Sequence, residues 1–138
     1  MIVYNGGGKY MKVLWLCGIV LPCLCDEFGF KKPQINGWVS GMLDYIRSNS
    51  DVQCAICCPI NKESKMKDGE FQGNKYYSFK MLLQESECYN QEERFIEIIK
   101  DFKPDVIHIW GTEYLHTYSM LCAAEKTGLL DKTVVNIQ

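Results

Sequence analysis

The chain is expected to fold as a doubly wound α/β domain: a Rossmann-like parallel sheet with helices on both faces. Three observations predict this. Short apolar runs of strand length alternate with stretches of helical periodicity, an order that requires parallel pairing through crossover connections. Stop signals such as Pro104 and Gly128 fall between those stretches. A length of 138 residues, 47% of them hydrophobic and 23% charged, matches one globular domain with its own core.

The elements follow in order. Met1 to Tyr10 carries Gly6-Gly7-Gly8 with no strand before it, and reads as a flexible leader outside the domain of residues 11–138. Lys12 to Cys17 is the first strand, and Gly18 to Ile35 a long loop rich in Gly, Pro and Lys. Asn36 or Gly37 opens a helix whose apolar positions Trp38, Val39, Met42, Leu43 and Ile46 recur at helical spacing, ending near Asn49-Ser50. Val52 to Cys58 is a near-continuous apolar strand stopped by Pro59; a polar loop, Asn61 to Asp68, and a weaker strand over Lys75 to Phe79 come next. Asn90 with Glu93 three residues on has the spacing of a capping box for a helix carrying Phe95, Ile96, Ile99 and Phe102. Val106 to Trp110 is a buried strand, His116 to Lys126 a helix ending at a left-handed Gly128, and Thr133 to Ile137 one more strand. Because Gln138 follows a buried-looking strand with no helix to cover it, the chain is expected to be a fragment.

Composition excludes several function classes. A net charge of −2 with scattered lysines argues against nucleic acid as a partner, which needs a basic face against several phosphates. No apolar run approaches the ~20 residues of a membrane span, and Val13 to Cys25 is interrupted by Gly18 and Pro22. The cysteines at 17, 23, 25, 54, 57, 58, 88 and 122 fall largely in apolar strand patterns, which favours reduced, buried thiols in a cytoplasmic protein. Cys54 and Cys57 have CxxC spacing, yet strand periodicity turns them to opposite faces, poor geometry for a redox pair or a zinc site. No metal or other cofactor is expected.

The turn after the first strand lacks GxGxxG and the second strand ends in Cys58-Pro59 without a ribose-binding acid, which removes a nicotinamide enzyme. No GxxxxGK[ST] occurs, which removes a P-loop. A flavodoxin-like or receiver-like module stays open on topology, without an acidic cluster at the first strand's end. The most informative run is Lys103-Pro104-Asp105-Val106-Ile107-His108-Ile109-Trp110-Gly111-Thr112-Glu113-Tyr114. In an open parallel sheet ligands gather at the carboxyl ends of strands, so Trp110 to His116 are expected at the crevice.

At three places, Asn36-Gly37-Trp38 after the long first loop, KPDVIHIWGTE at Lys103 to Glu113, and Asn136-Ile137-Gln138, the chain resembles the N-terminal domain of retaining GT-B glycosyltransferases, particularly family 4. The likeness spans Met11 to Gln138; the middle motif is the specific one. Two positions depart from the family: Trp110 stands where many members have a second His, and Asn36 replaces the first Gly of a Gly-Gly pair. A role tied to that second His does not carry over.

The resemblance implies the acceptor-side half of an enzyme that moves a sugar from a nucleotide-diphosphate donor to a glycan or lipid-linked acceptor with retention. A C-terminal Rossmann-like domain would hold most of the donor, and family habit suggests polysaccharide assembly in the cytoplasm, with peripheral contact at the inner face of the membrane. The candidate catalytic residues are then His108, Glu113 and His116, and the candidate substrate-binding residues Asn36, Gly37, Trp110 and Thr112. Free N–H groups and the dipole at a helix start suit a diphosphate at Asn36-Gly37, though a simple N-cap explains the same pair. His108 reads equally as a satisfied core imidazole, Glu113 and His116 as helix-capping groups, Trp38 as core, and Lys31-Lys32 as solvated charges. The alternative function is a stand-alone, non-catalytic α/β binding or interaction module.

Overall fold

The computed structural model describes residues 10–31, 37–49, 51–82 and 84–137, leaving aside the side chains at 38, 49 and 85. Residues 1–9 of the expected leader, Lys32, Asn36, the Trp38 side chain and Gln138 lie outside it. The described residues form the expected doubly wound α/β architecture. Strands β1 (Met11–Leu16), β2 (Val52–Ile60), β3 (Gly69–Phe71), β4 (Asn74–Lys80), β5 (Val106–Trp110) and β6 (Thr133–Asn136) make one sheet in the order β3-β4-β2-β1-β5-β6. All pairs are parallel except the β3–β4 hairpin at the edge.

Alternation along the strands splits the core in two. Leu14, Leu16, Ala55, Cys57, Ile107 and Ile109 face one side, packed by Phe95, Ile98 and Phe102 of α3 (Cys88–Phe102) and Met120 and Ala123 of α4 (Leu115–Lys126). Trp15, Cys54, Ile56, Cys58 and Trp110 face the other, against Val39 and Leu43 of α2 (Gly37–Asn49). Cys54 and Cys57 thus lie on opposite faces, as strand periodicity requires. Burial pushes the Cys57 thiol well up and that of Cys58 up to about 12, so neither is a nucleophile near neutral pH.

Several local expectations need correction. The Gly18 to Ile35 loop contains a 3-10 turn, Pro22–Leu24, running into the short helix α1 (Cys25–Phe28); Leu21, Leu24 and Cys25 are buried beneath α2's side of the sheet. One helical turn is too short to display a period. β2 runs through Pro59 to Ile60, because β1 ends at Leu16 opposite Cys57 and leaves β2 paired on one side only, where a missing N–H need not break the ladder. β3 falls between the expected loop and the expected strand; it is joined to β4 by Gln72 (φ 50°) and Gly73 (φ 85°), two positive values that make a tight hairpin turn without the usual Asn-Gly.

The capping box is displaced as well. α3 starts at Cys88, with Glu87 as its cap residue making no side-chain cap bond, so Asn90 and Glu93 lie inside the helix. A 3-10 turn, Glu85–Glu87, leads straight into it and carries the helix past the sequence signal. Lys103 (φ 56°) ends α3 before Pro104, and Gly128 (φ 77°) follows α4 as expected, with the Leu129 N–H donating to the Ala124 carbonyl at 2.8 Å.

Candidate functional site

Strand order reverses at β1, which pairs with β2 on one side and β5 on the other. The carboxyl ends of β1 and β5 therefore flank the switch point, where an open α/β sheet leaves a crevice. Cys17, Gly18, Leu21, Val39, Trp110 and Tyr114 line it, and its volume is only about 40 Å³. Val39 belongs to the first turn of α2, so that helix's N-terminus, whose first N–H groups have no partner within the helix, adjoins the crevice. Gly37 is exposed, and a Cβ there would meet no atom within 4 Å.

The KPD–GTE segment divides its labour along β5. At the amino end Asp105 clamps β1: its Oδ2 accepts the Lys12 N–H at 2.8 Å while its own N–H donates to the Lys12 carbonyl at 2.7 Å. Pro104 and Asp105 are accordingly structural and lie at the opposite end of the strand from the crevice. At the carboxyl end Gly111 adopts φ +106°, a backbone that favours glycine, and a Cβ there would lie 2.9 Å from Glu113 Oε2 and push that flexible carboxylate aside. Its N–H donates to the Asn136 carbonyl at 3.0 Å and its carbonyl accepts the Thr117 hydroxyl at 2.8 Å. Glu113 folds back over this turn and accepts the Thr112 N–H at 2.8 Å. It does not cap α4, whose cap residue is Tyr114 with no side-chain cap bond.

The candidate groups do not converge. His108 and Trp110 share a sheet face, their rings stacked at 4.2 Å, with Trp15 edge-on to both. With Asn136 Oδ1 as acceptor, His108 Nε2–H donates across 3.2 Å to the end of β6. Burial lowers the His108 pKa and the Asn136 bond partly offsets it, so the ring is neutral near neutral pH. His116 sits on the other face, stacked on Tyr114 at 4.6 Å and edge-on to the core ring Phe79 at 5.2 Å. It is 5% exposed, burial lowers its pKa to about 4 with the charge of Glu113 opposing, and its Nε2 has no partner among the described residues. Of the three, Glu113 alone is exposed to solvent at the carboxyl edge. Thr112 is exposed beside it, and Asn36 lies outside the described residues. Among the described residues no group of three or more His, Cys, Asp or Glu could hold a metal ion.

Sequence reasoning puts Tyr114 at the crevice without giving it a role, and it misses Gly18. A Cβ on Gly18 would lie 2.4 Å from the Tyr114 ring, so that ring lies directly over the chain as it leaves β1. Burial raises the Tyr114 pKa first, and neighbouring Glu113 adds to the rise. Gly18→Ala is expected to cost about 1–3 kcal/mol by overpacking, and Tyr114→Ala in the same chain to restore most of it. Urea unfolding of the two single variants and the double variant measures the coupling; additive losses would mean the ring does not rest on Gly18.

No family model matches the chain. No curated protein matches it either. Among solved structures it is similar to "Trehalose-6-phosphate from E. coli bound with UDP-2-fluoro glucose", with 12% identity and a TM-score of 0.46, over 91% of this chain and 32% of that one. The chain thus spans about a third of that structure's length. No helix among the described residues is long and apolar enough to cross a membrane.

Proposed function

We propose that this chain is the acceptor-side half of a retaining glycosyltransferase that takes its sugar from a nucleotide-diphosphate donor. The observation that carries the reading is the switch-point turn: Gly111 holds Glu113 exposed at the carboxyl edge of β5, while the α2 N-terminus borders the adjoining crevice. In such a site a diphosphate accepts from the free N–H groups that begin α2 and is favoured by the helix dipole. The exposed Glu113 carboxylate can take the proton of an acceptor hydroxyl as the sugar arrives. Catalysis otherwise rests on stabilising the departing diphosphate and positioning the acceptor, most of the donor being held by a second α/β domain. A glycan or lipid-linked acceptor, and contact with the inner face of a membrane, extend the same proposal.

The test is nucleoside diphosphate release by the natively expressed protein over a panel of nucleotide sugars. Release that depends on an added acceptor is expected, and Glu113→Gln should slow it by about 10²-fold or more. Gly37→Ala should leave the fold intact, since the new methyl meets open space, yet raise KM for the donor if phosphate approaches that backbone. Unchanged turnover in Glu113→Gln would remove Glu113 from the mechanism, and sugar transfer by residues 1–138 alone would overturn the acceptor-side assignment.

The second reading is a non-catalytic binding module. What favours it is the separation of His108 and His116 onto opposite sheet faces. Absence of any release, with tight binding of an unrelated ligand, would select it.

A further inference from the structure

A larger cavity, about 260 Å³, lies at the carboxyl end of β4 beside the first turns of α3. It is on the same edge of the sheet as the crevice, two strand spacings or roughly 10 Å from β1. The volume falls just under the range of about 300–1,000 Å³ for drug-sized guests and suits a smaller one.

Its wall contains an unsatisfied acceptor. Gln91 is 4% exposed, and its Nε2 donates to the Lys80 carbonyl at 3.0 Å. That bond decides which end of the amide is which, because the reversed amide would set two oxygens against each other. Oε1 is left buried with no partner among the described residues, a cost that an O–H or N–H of a guest would recover. The lining holds three cations, Lys62, Lys80 and Arg94, and one carboxylate, Glu87. Arg94 is balanced by Asp68 and Glu97, and Lys62 is paired with Glu87, but Lys80 forms no ion pair with a described residue. Met81 and Leu82 supply an apolar surface beside these groups.

A guest that satisfies all three features carries a hydroxyl, an anionic group and an apolar C–H face. We propose that this cavity binds a small polyhydroxylated anion, a sugar acid or a sugar phosphate. A hydroxyl donates to Gln91 Oε1, the anion lies at Lys80 and the C–H face rests on Met81 and Leu82. The site rests on its own geometry and requires no transfer reaction, so it stands or falls apart from the glycosyltransferase reading.

Side-chain amide NMR on the full chain, titrated separately with glucuronate, glucose 1-phosphate, glucose and inorganic phosphate, tests it. At least one sugar anion is expected to shift the Gln91 amide with a millimolar Kd, about tenfold tighter than glucose or phosphate. The tighter of the two anions identifies the source. Lys80→Gln, a change outside the core, should weaken that anion about tenfold toward the affinity of neutral glucose while leaving thermal unfolding unchanged. Gln91→Met, followed through the backbone amides lining the cavity, should abolish the distinction between the sugar anion and bare phosphate. The proposal is overturned if no probe moves the amide, if phosphate alone binds as tightly as the sugar anions, or if Lys80→Gln binds like the parent.

Discussion

Phe79→Ala is expected to destabilise the protein by about 3–5 kcal/mol, the largest loss from any single truncation considered for this molecule. Phe79 is fully buried on β4, paired with Pro59 of β2 in register. Its ring meets Phe95 of α3 at 4.9 Å and His116 of α4 at 5.2 Å, both edge-on. One side chain therefore joins the sheet to both helices on that face, and the hole left by removing it would border three elements that cannot all close in. Stabilities of single domains run at about 5–15 kcal/mol, so the loss is a large share of the total. Equilibrium urea unfolding checks it. A loss under about 1.5 kcal/mol, the size of a conservative volume change, would mean that Phe79 does not knit β4 to α3 and α4.

Acidification is expected to weaken the fold through His116. Its pKa in the folded state is lowered to about 4, chiefly by burial, against an ordinary value of 6.5 in the unfolded chain. As pH falls below the unfolded value, the unfolded chain takes up a proton that the folded one refuses. The stability is therefore fully present above 6.5 and drains away down to about 4, below which both states are protonated. Between about pH 7.5 and about pH 4.5 the loss comes to roughly 2.5 kcal/mol. His108, also lowered by burial, adds in the same direction. In His116→Phe, which keeps a ring against Phe79 and Tyr114, most of this pH dependence should disappear while His108's part remains. Urea unfolding at the two pH values measures both, and an unchanged slope in the variant would show that His116 is not held neutral by its surroundings.

The alternation of strands and helices, hence parallel pairing, and the stops at Pro104 and Gly128 are legible in the sequence, because each depends on neighbours a few residues away. Strand periodicity likewise separated Cys54 from Cys57 and put His108 and Trp110 on one face. Even local reading failed where a signal was shorter than one period, as in α1, or was overridden by the preceding turn, as at Asn90.

The strand order, and with it the switch point beside β1, came from the folded chain. Folding likewise brings Asp105 onto Lys12, 93 residues away in sequence, lays the Tyr114 ring over Gly18, and packs His116 on Phe79. It also set Gln91 against the Lys80 carbonyl with its oxygen unpartnered. The reason is physical: backbone preference and hydrophobic period act within a turn or a strand, whereas contacts across the sheet depend on which segments the core brings together.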